Sequence, residues 1–321
     1  MNGVAQCVVL ALALVCLPAS TQAQTFPSGP IRVVIPLAPG DAADITARVM
    51  SEEISRLLNT PVLAINRPGA GGAVGANSVV QASKDGHTIL FAQNSALTIR
   101  PVLDPQSASY DALRDLLPLG ITSRTPSVLV VRSDAPYKNF AELIEYSKNK
   151  PGQVRIGHPG AGSVGDFCIQ LINSLTAAEF VPIPFLGATP AVTALRGEHI
   201  EGVVLALGAL SAHIKSGTIR GMVMSNRVAE FADIPTMREL GHQEDLFGIW
   251  FSFLAPAGIP DDARKMLVGA IEQAVKAPAI TVRLAPLGIY QSYSGPEQTA
   301  AEIREELKRV SALARKTGLV K

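Results

Sequence analysis

Two glycine-rich segments of this chain have the composition to hold an anion without a charged side chain. One is Pro36-Leu37-Ala38-Pro39-Gly40-Asp41, continued by Ala42 and Ala43. The other is His158-Pro159-Gly160-Ala161-Gly162-Ser163, continued by Val164 and, shortly after, Asp166. Each follows a short apolar run, Ile31 to Ile35 or Val154 to Ile156, and opens a helical pattern, Ala42 to Leu58 or Val164 to Leu175. A strand that turns through glycine into a helix leaves unpaired backbone N–H groups at the positive end of the helix dipole, and together these attract an anion. Two such turns, about half a chain apart, predict one ligand clamped between two lobes. Asp41 and Asp166 admit two readings: a carboxylate in the first helical turn caps its own backbone, or it faces the ligand and selects an amine or hydroxyl.

Other chemistries find less support. Ala161-Gly162-Ser163-Val164-Gly165 misses the Gly-x-Ser-x-Gly nucleophile elbow by one residue, and a serine at a helix start reads as an N-cap. A secreted hydrolase using Ser163 with His158 is the enzyme alternative. The other histidines, His87, His199, His213 and His242, are scattered. With no paired histidines at helical spacing, no CxxC and no EF-hand run, neither a metal nor a cofactor is expected. Asn66-Arg67-Pro68-Gly69-Ala70-Gly71-Gly72 lies between a strand and a helix but lacks the GxGxxG spacing of a dinucleotide fingerprint.

The elements that carry these turns alternate. Ile31–Ile35, Val62–Ile65, Thr88–Phe91, Val128–Val131, Val154–Ile156, Val181–Pro184, Ile200–Leu205 and Ile219–Met224 read as strands, with helical patterns between them. This is an α/β chain, and the alternation predicts mainly parallel sheets covered by helices. A length of 321 residues favours two lobes. The run Leu116 to Val131 is long enough to cross between them, and Gly248 to Ala257, the most aromatic patch, is a second candidate crossing. After Gly258-Ile259-Pro260, Asp261 to Lys276 and Pro296 to Lys316 read as helices.

Composition narrows the setting. Lys and Arg total 28 against 27 Asp and Glu, and aromatics are 5%, which leaves no basic excess or stacking platform for nucleic acid. Val8 to Leu17 is almost wholly apolar, and Pro18-Ala19-Ser20-Thr21-Gln22-Ala23 supplies small residues at cleavage positions. This is the pattern of a secretory signal cleaved after Ala23, although Met1 to Gln6 holds no Lys or Arg; the apolar core is too short to span a bilayer. Bulky Val15 argues against lipid attachment at Cys16. Cys7 and Cys16 leave with the signal, so Cys168 alone remains and no intramolecular disulfide can form.

Pro36-Leu37-Ala38-Pro39-Gly40 with Asp44 and Arg48 resembles the first ligand loop of the Bug-type (TctC-like) substrate-binding proteins of tripartite tricarboxylate transporters. Further similarities follow in order: Asn66 to Gly72, Asp85-Gly86-His87-Thr88, Tyr110-Asp111 with Arg114-Asp115, Pro184-Phe185-Leu186-Gly187, His213 to Gly217, and Leu254 to Pro260. The resemblance implies a two-lobed periplasmic binding protein of type II, a Venus flytrap. Such a protein is not an enzyme; it is a monomer that delivers a small carboxylate to membrane permease subunits, the alternative being a ligand sensor that passes its bound state to a membrane kinase through the same closing clamp. It implies a signal at 1–23, a first lobe at 24–124 and 231–321, and a second at 125–230. The ligand site it implies comprises Leu37 to Ala43, Gly160 to Val164, the turn Gln93-Asn94-Ser95 and the aromatic Phe185, with His158 beside them. Where the family commonly has a small residue and Ser-His, this chain has Asp41 and Gly165-Asp166, and a familiar acid is absent near Leu205-Ala206. These departures favour a ligand that joins a carboxylate to a positive or hydrogen-donating group, such as an amino acid or a protonated pyridine carboxylate.

Overall fold

The computed structural model describes residues 26–320, so the expected signal segment lies outside the described residues. The first unit runs β1 (Ile31–Ile35), α1 (Ala42–Leu58), β2 (Val62–Asn66), α2 (Ala73–Val80) and β3 (Thr88–Gln93), then a π-turn at Ser95–Ile99 that continues into the single-turn α3 (Arg100–Leu103), and β4 (Leu116–Thr125). The second unit contains β5 (Ser127–Arg132), α4 (Phe140–Asn149), β6 (Arg155–His158), α5 (Val164–Thr176), β7 (Val181–Pro184), α6 (Ala188–Arg196), β8 (Gly202–Ala206), α7 (Leu207–Lys215) and β9 (Ile219–Met224). The chain then returns through β10 (Ile249–Pro256), α8 (Asp261–Lys276), α9 (Pro278–Leu284), β11 (Tyr290–Ser294) and α10 (Pro296–Lys316).

Two sheets result, a six-stranded one in the order β11-β4-β10-β3-β1-β2 and a five-stranded one in the order β7-β6-β8-β5-β9. Each is parallel in one half only. β1 pairs parallel with β2 and β3, and β6 with β7 and β8. β10 and β5 run against the parallel strands of their sheets and pair antiparallel with both neighbours, β10 with β3 and β4, β5 with β8 and β9. The expectation of mainly parallel sheets holds in part: each sheet has a parallel core, and the antiparallel strands make both sheets mixed. Periodicity reports which faces are buried and is blind to strand direction.

The predicted crossing at Leu116 to Val131 is real: β4 lies in the first sheet, β5 in the second, and Pro126 separates them. Proline has no N–H to give a ladder, which suits it to the change of sheet. The second predicted crossing, Gly248 to Ala257, is not one. It forms β10, buried along its length between β3 and β4. Its unbroken apolar run reflects a central strand covered on both faces. The return crossing precedes it. Phe231 and Ile234 still pack with Val128 and Val203 of the second sheet, and Met224 N–H donates to the Pro235 carbonyl. Within the first sheet Phe91 on β3 meets Phe253 edge-on at 4.7 Å and Phe251 at 5.9 Å. Such aromatic pairs add about 0.5–1.5 kcal/mol each beyond area burial and fix the wall on which the ligand loops stand.

Candidate functional site

A cavity of about 320 Å³ opens between the two units. Four strand-to-helix turns line it: Pro36 to Ala38 after β1, Pro68 to Gly72 after β2, Pro159 to Ala161 after β6, and Pro184 to Gly187 after β7. All four lie at the carboxyl ends of parallel strands, where α/β sheets bind ligands. The turns touch across the gap. Arg100 Nη1 donates to the Ala161 carbonyl at 3.1 Å. A Cβ on Gly71 would stand 2.7 Å from that same carbonyl oxygen, one on Gly162 would stand 2.5 Å from Arg100 Cδ, and one on Gly187 would stand 3.0 Å from Ala38 Cβ. Gly71, Gly162 and Gly187 also hold positive φ values of 61, 73 and 103°, so both the backbone and the opposite lobe demand glycine.

No lining residue carries a charge. Among the described residues, the backbone N–H groups of the lining residues Ala38, Ala70, Gly71, Gly160 and Ala161 have no hydrogen-bond acceptor. The helix starts behind them differ. At α1, Asp41 accepts from Ala43 N–H at 3.0 Å, and Asp44 accepts from Gly40 N–H at 3.0 Å, from Arg48 Nε and from Asn66 Nδ2. At α5, Ser163 Oγ accepts from Asp166 N–H at 3.2 Å, while Asp166 accepts from Gly162 N–H at 2.7 Å and from Gln170 Nε2 at 2.8 Å. The starts of α2 and α6 have glycine N-caps, no side-chain cap and no acid in the first turn.

The two aspartates therefore cap their own helices. Burial pushes the Asp41 carboxyl up to about 6, against the hydrogen bond from Ala43 and with help from the Asp44 charge. Burial also opposes the charge on Asp44, but the hydrogen bonds from Arg48, Gly40 and Asn66 outweigh it and hold that carboxyl below its ordinary value. His158 is buried. Its Nδ1 lies 3.0 Å from the Gly160 carbonyl, and desolvation lowers its pKa despite the nearby Asp166. A neutral ring thus braces the turn from beneath.

The predicted residues separate into three groups. Leu37, Ala38, Gly160, Ala161 and Phe185 line the cavity. Pro39 and Gly40 are exposed beside it, while Asp41, Ala42, Ala43, Gly162, Ser163, Val164 and Asp166 are buried in the helix starts behind it. Gln93, Asn94 and Ser95 are not among the residues that line this cavity. Gln93 Nε2 donates to Ser95 Oγ, whose hydroxyl reaches the Gly71 carbonyl, and Asn94 Nδ2 turns to Glu306 and the Gly248 carbonyl. Pro68 to Gly72, Leu186 and Gly187 line the cavity but were not predicted as site residues. Asn66 to Gly72 and Pro184 to Gly187 are both among the segments that carry the family resemblance, and the former lacks the dinucleotide spacing. Arg100 had no local signal, since its partner is 61 residues away.

Two α/β units joined by crossing strands and closed over a main-chain-lined cavity define a clamp of the periplasmic binding protein class. A family model described as the tripartite tricarboxylate transporter family receptor matches residues 46–319. The chain belongs to that family. Protein BugT of Bordetella pertussis is 32% identical over 303 residues, covering 94% of this chain and 93% of BugT. The structure of the periplasmic binding protein BugD is similar with a TM-score of 0.87 at 27% identity, covering 92% of this chain and 99% of that one. MatC from Rhodopseudomonas palustris, solved with bound malate, has a TM-score of 0.84 at 27% identity, covering 90% and 99%.

Proposed function

We propose that the chain captures a small carboxylate in the periplasm and presents it to the membrane permease subunits of a tripartite tricarboxylate transporter. The observation that carries this reading is the cavity lining itself: unpaired backbone N–H groups, two uncapped helix starts and no charged side chain. Oriented main-chain donors at helix starts bind anions, and enclosure strengthens each contact. Malate in the related MatC supports a carboxylate whose body bears hydroxyl or apolar groups. The amino acid expected from Asp41 and Asp166 is less well supported, because both carboxylates are engaged with their own helices and neither lines the cavity. Export with cleavage after Ala23 belongs to the same proposal, and the mass of the periplasmic product tests it.

A thermal-shift panel of malate, succinate, aspartate and nicotinate, with native mass spectrometry of the protein as purified, tests the ligand class. Stabilisation by carboxylates that lack an amine is the expected result. A response confined to zwitterions would overturn the assignment of both aspartates as caps.

A further inference from the structure

A second cavity, of about 360 Å³, lies where the chain passes between the sheets. Its walls come from the β4–β5 crossing at Thr125 and Pro126, from the return crossing at Arg227 and Phe247, and from β11 and α10. Donors outnumber acceptors in this wall. Arg124, partly exposed, gives Nε to Ser292 and Nη2 to Glu302, and among the described residues Nη1 has no protein acceptor. Arg227 gives Nε to Glu239 and Nη1 to the Ala232 carbonyl, which leaves Nη2. Arg309 gives only Nη2 to the Asp245 carbonyl, lies 3.7 Å from Glu244, and stacks 4.3 Å over the Phe247 ring. The hydroxyls of Thr125 and Tyr290 are buried without a partner. The one carboxylate of the wall, Glu306, has both oxygens occupied, Oε1 by Asn94 and Thr98 and Oε2 by Trp250 Nε1. Burial raises its pKa, against those same hydrogen bonds.

Unspent guanidinium and hydroxyl donors around a cavity call for a ligand rich in acceptor oxygens. We propose that the hinge cavity is a second binding site, for a small anion bearing several phosphoryl or carboxylate oxygens, and that its occupancy biases lobe closure. Both crossing segments contribute to its wall, so rotation of one lobe against the other changes its shape. An occupant that fits one shape better shifts the equilibrium by its difference in affinity, and the coupling to the cleft is reciprocal.

Pyrophosphate and citrate, titrated calorimetrically at constant ionic strength, separate the phosphoryl and carboxylate sources. Saturable binding of at least one is expected, weakened about tenfold or more in Arg124→Gln/Arg309→Gln. The fluorescence of Trp250, the chain's one tryptophan, should shift with the same saturation curve. If neither anion saturates, the site does not exist. Binding that survives the arginine changes but is lost in Gly162→Val belongs to the cleft and equally overturns the proposal. Should the double variant fail to fold, Thr125→Val removes only an unpaired hydroxyl and should weaken binding by about threefold to tenfold; unchanged binding counts against the site. A change in radius of gyration at saturating anion supports coupling to closure, and an unchanged radius rejects it.

Discussion

The four helix starts around the cleft form two contrasting pairs. Those of α1 and α5 carry their own counter-charge: Asp41 and Asp44 at one, Ser163 and Asp166 at the other, each accepting a backbone N–H within its own turn. Those of α2 and α6 carry none. The first pair has the residues that look chemical, and the second has only Pro, Gly, Ala, Phe and Leu. Polar residues at a turn often serve the turn itself, and an anion site is better marked by donors that the protein leaves unspent.

The sharpest test of the closed clamp uses two glycines in the same lobe. Gly162 and Gly152 share a φ of 73°, yet a Cβ on Gly152 meets nothing within 4 Å while one on Gly162 meets Arg100 from the opposite lobe. Gly162→Val should weaken ligand binding about a hundredfold, roughly 2.8 kcal/mol, while the protein stays folded. Gly152→Val should carry similar backbone strain, seen as a lower melting temperature, with affinity unchanged. Calorimetry that finds the two equally impaired would remove the argument for contact across the lobes.

Asp41 allows a pH test. Its folded pKa of about 6 lies above the ordinary 3.8, so the folded state holds its proton more tightly than the unfolded chain. Stability from this group is fully present below about pH 4 and declines as pH rises through about 6, by roughly 2–3 kcal/mol. Asp41→Asn keeps an N-cap acceptor and should abolish that decline, so the variant should be the more stable protein at pH 7. Denaturant melts at pH 4 and pH 7 decide; a variant that is less stable at both shows the carboxylate to be needed in charged form.

Exchanging the character of the two pairs gives smaller effects. Ala70→Asp places a carboxylate at the uncapped α2 start and should weaken an anionic ligand about tenfold, roughly 1.4 kcal/mol, by like-charge repulsion. Asp166→Ala removes a carboxylate from the capped α5 start and should cost about 1 kcal/mol of folding stability, with the ligand preference kept. A change of preference toward dicarboxylates in Asp166→Ala would show that this carboxylate faces the ligand after all.

What the sequence by itself determined is local. Glycine, proline and capping residues act within a few positions of themselves, so the strand-to-helix units, the turn at Gly160 to Ser163 and the N-cap role of Ser163 were legible, while Asp41 kept two readings until the structure showed its carboxylate on Ala43 N–H. The crossing at Leu116 to Val131 was legible for a similar reason, as one apolar run longer than a single sheet needs. Tertiary structure decided the rest. Strand direction in β5 and β10 depends on how the chain enters each sheet, which periodicity does not record. The side chain of Asn94 is held by Glu306, more than two hundred residues further on. The meeting of Pro68 to Gly72 with Ala161, and of Arg100 with the same carbonyl, exists only once two separate sheets are closed upon each other. A cavity bounded by main chain has no side-chain signature to read, because its chemistry resides in N–H groups that every residue but proline possesses.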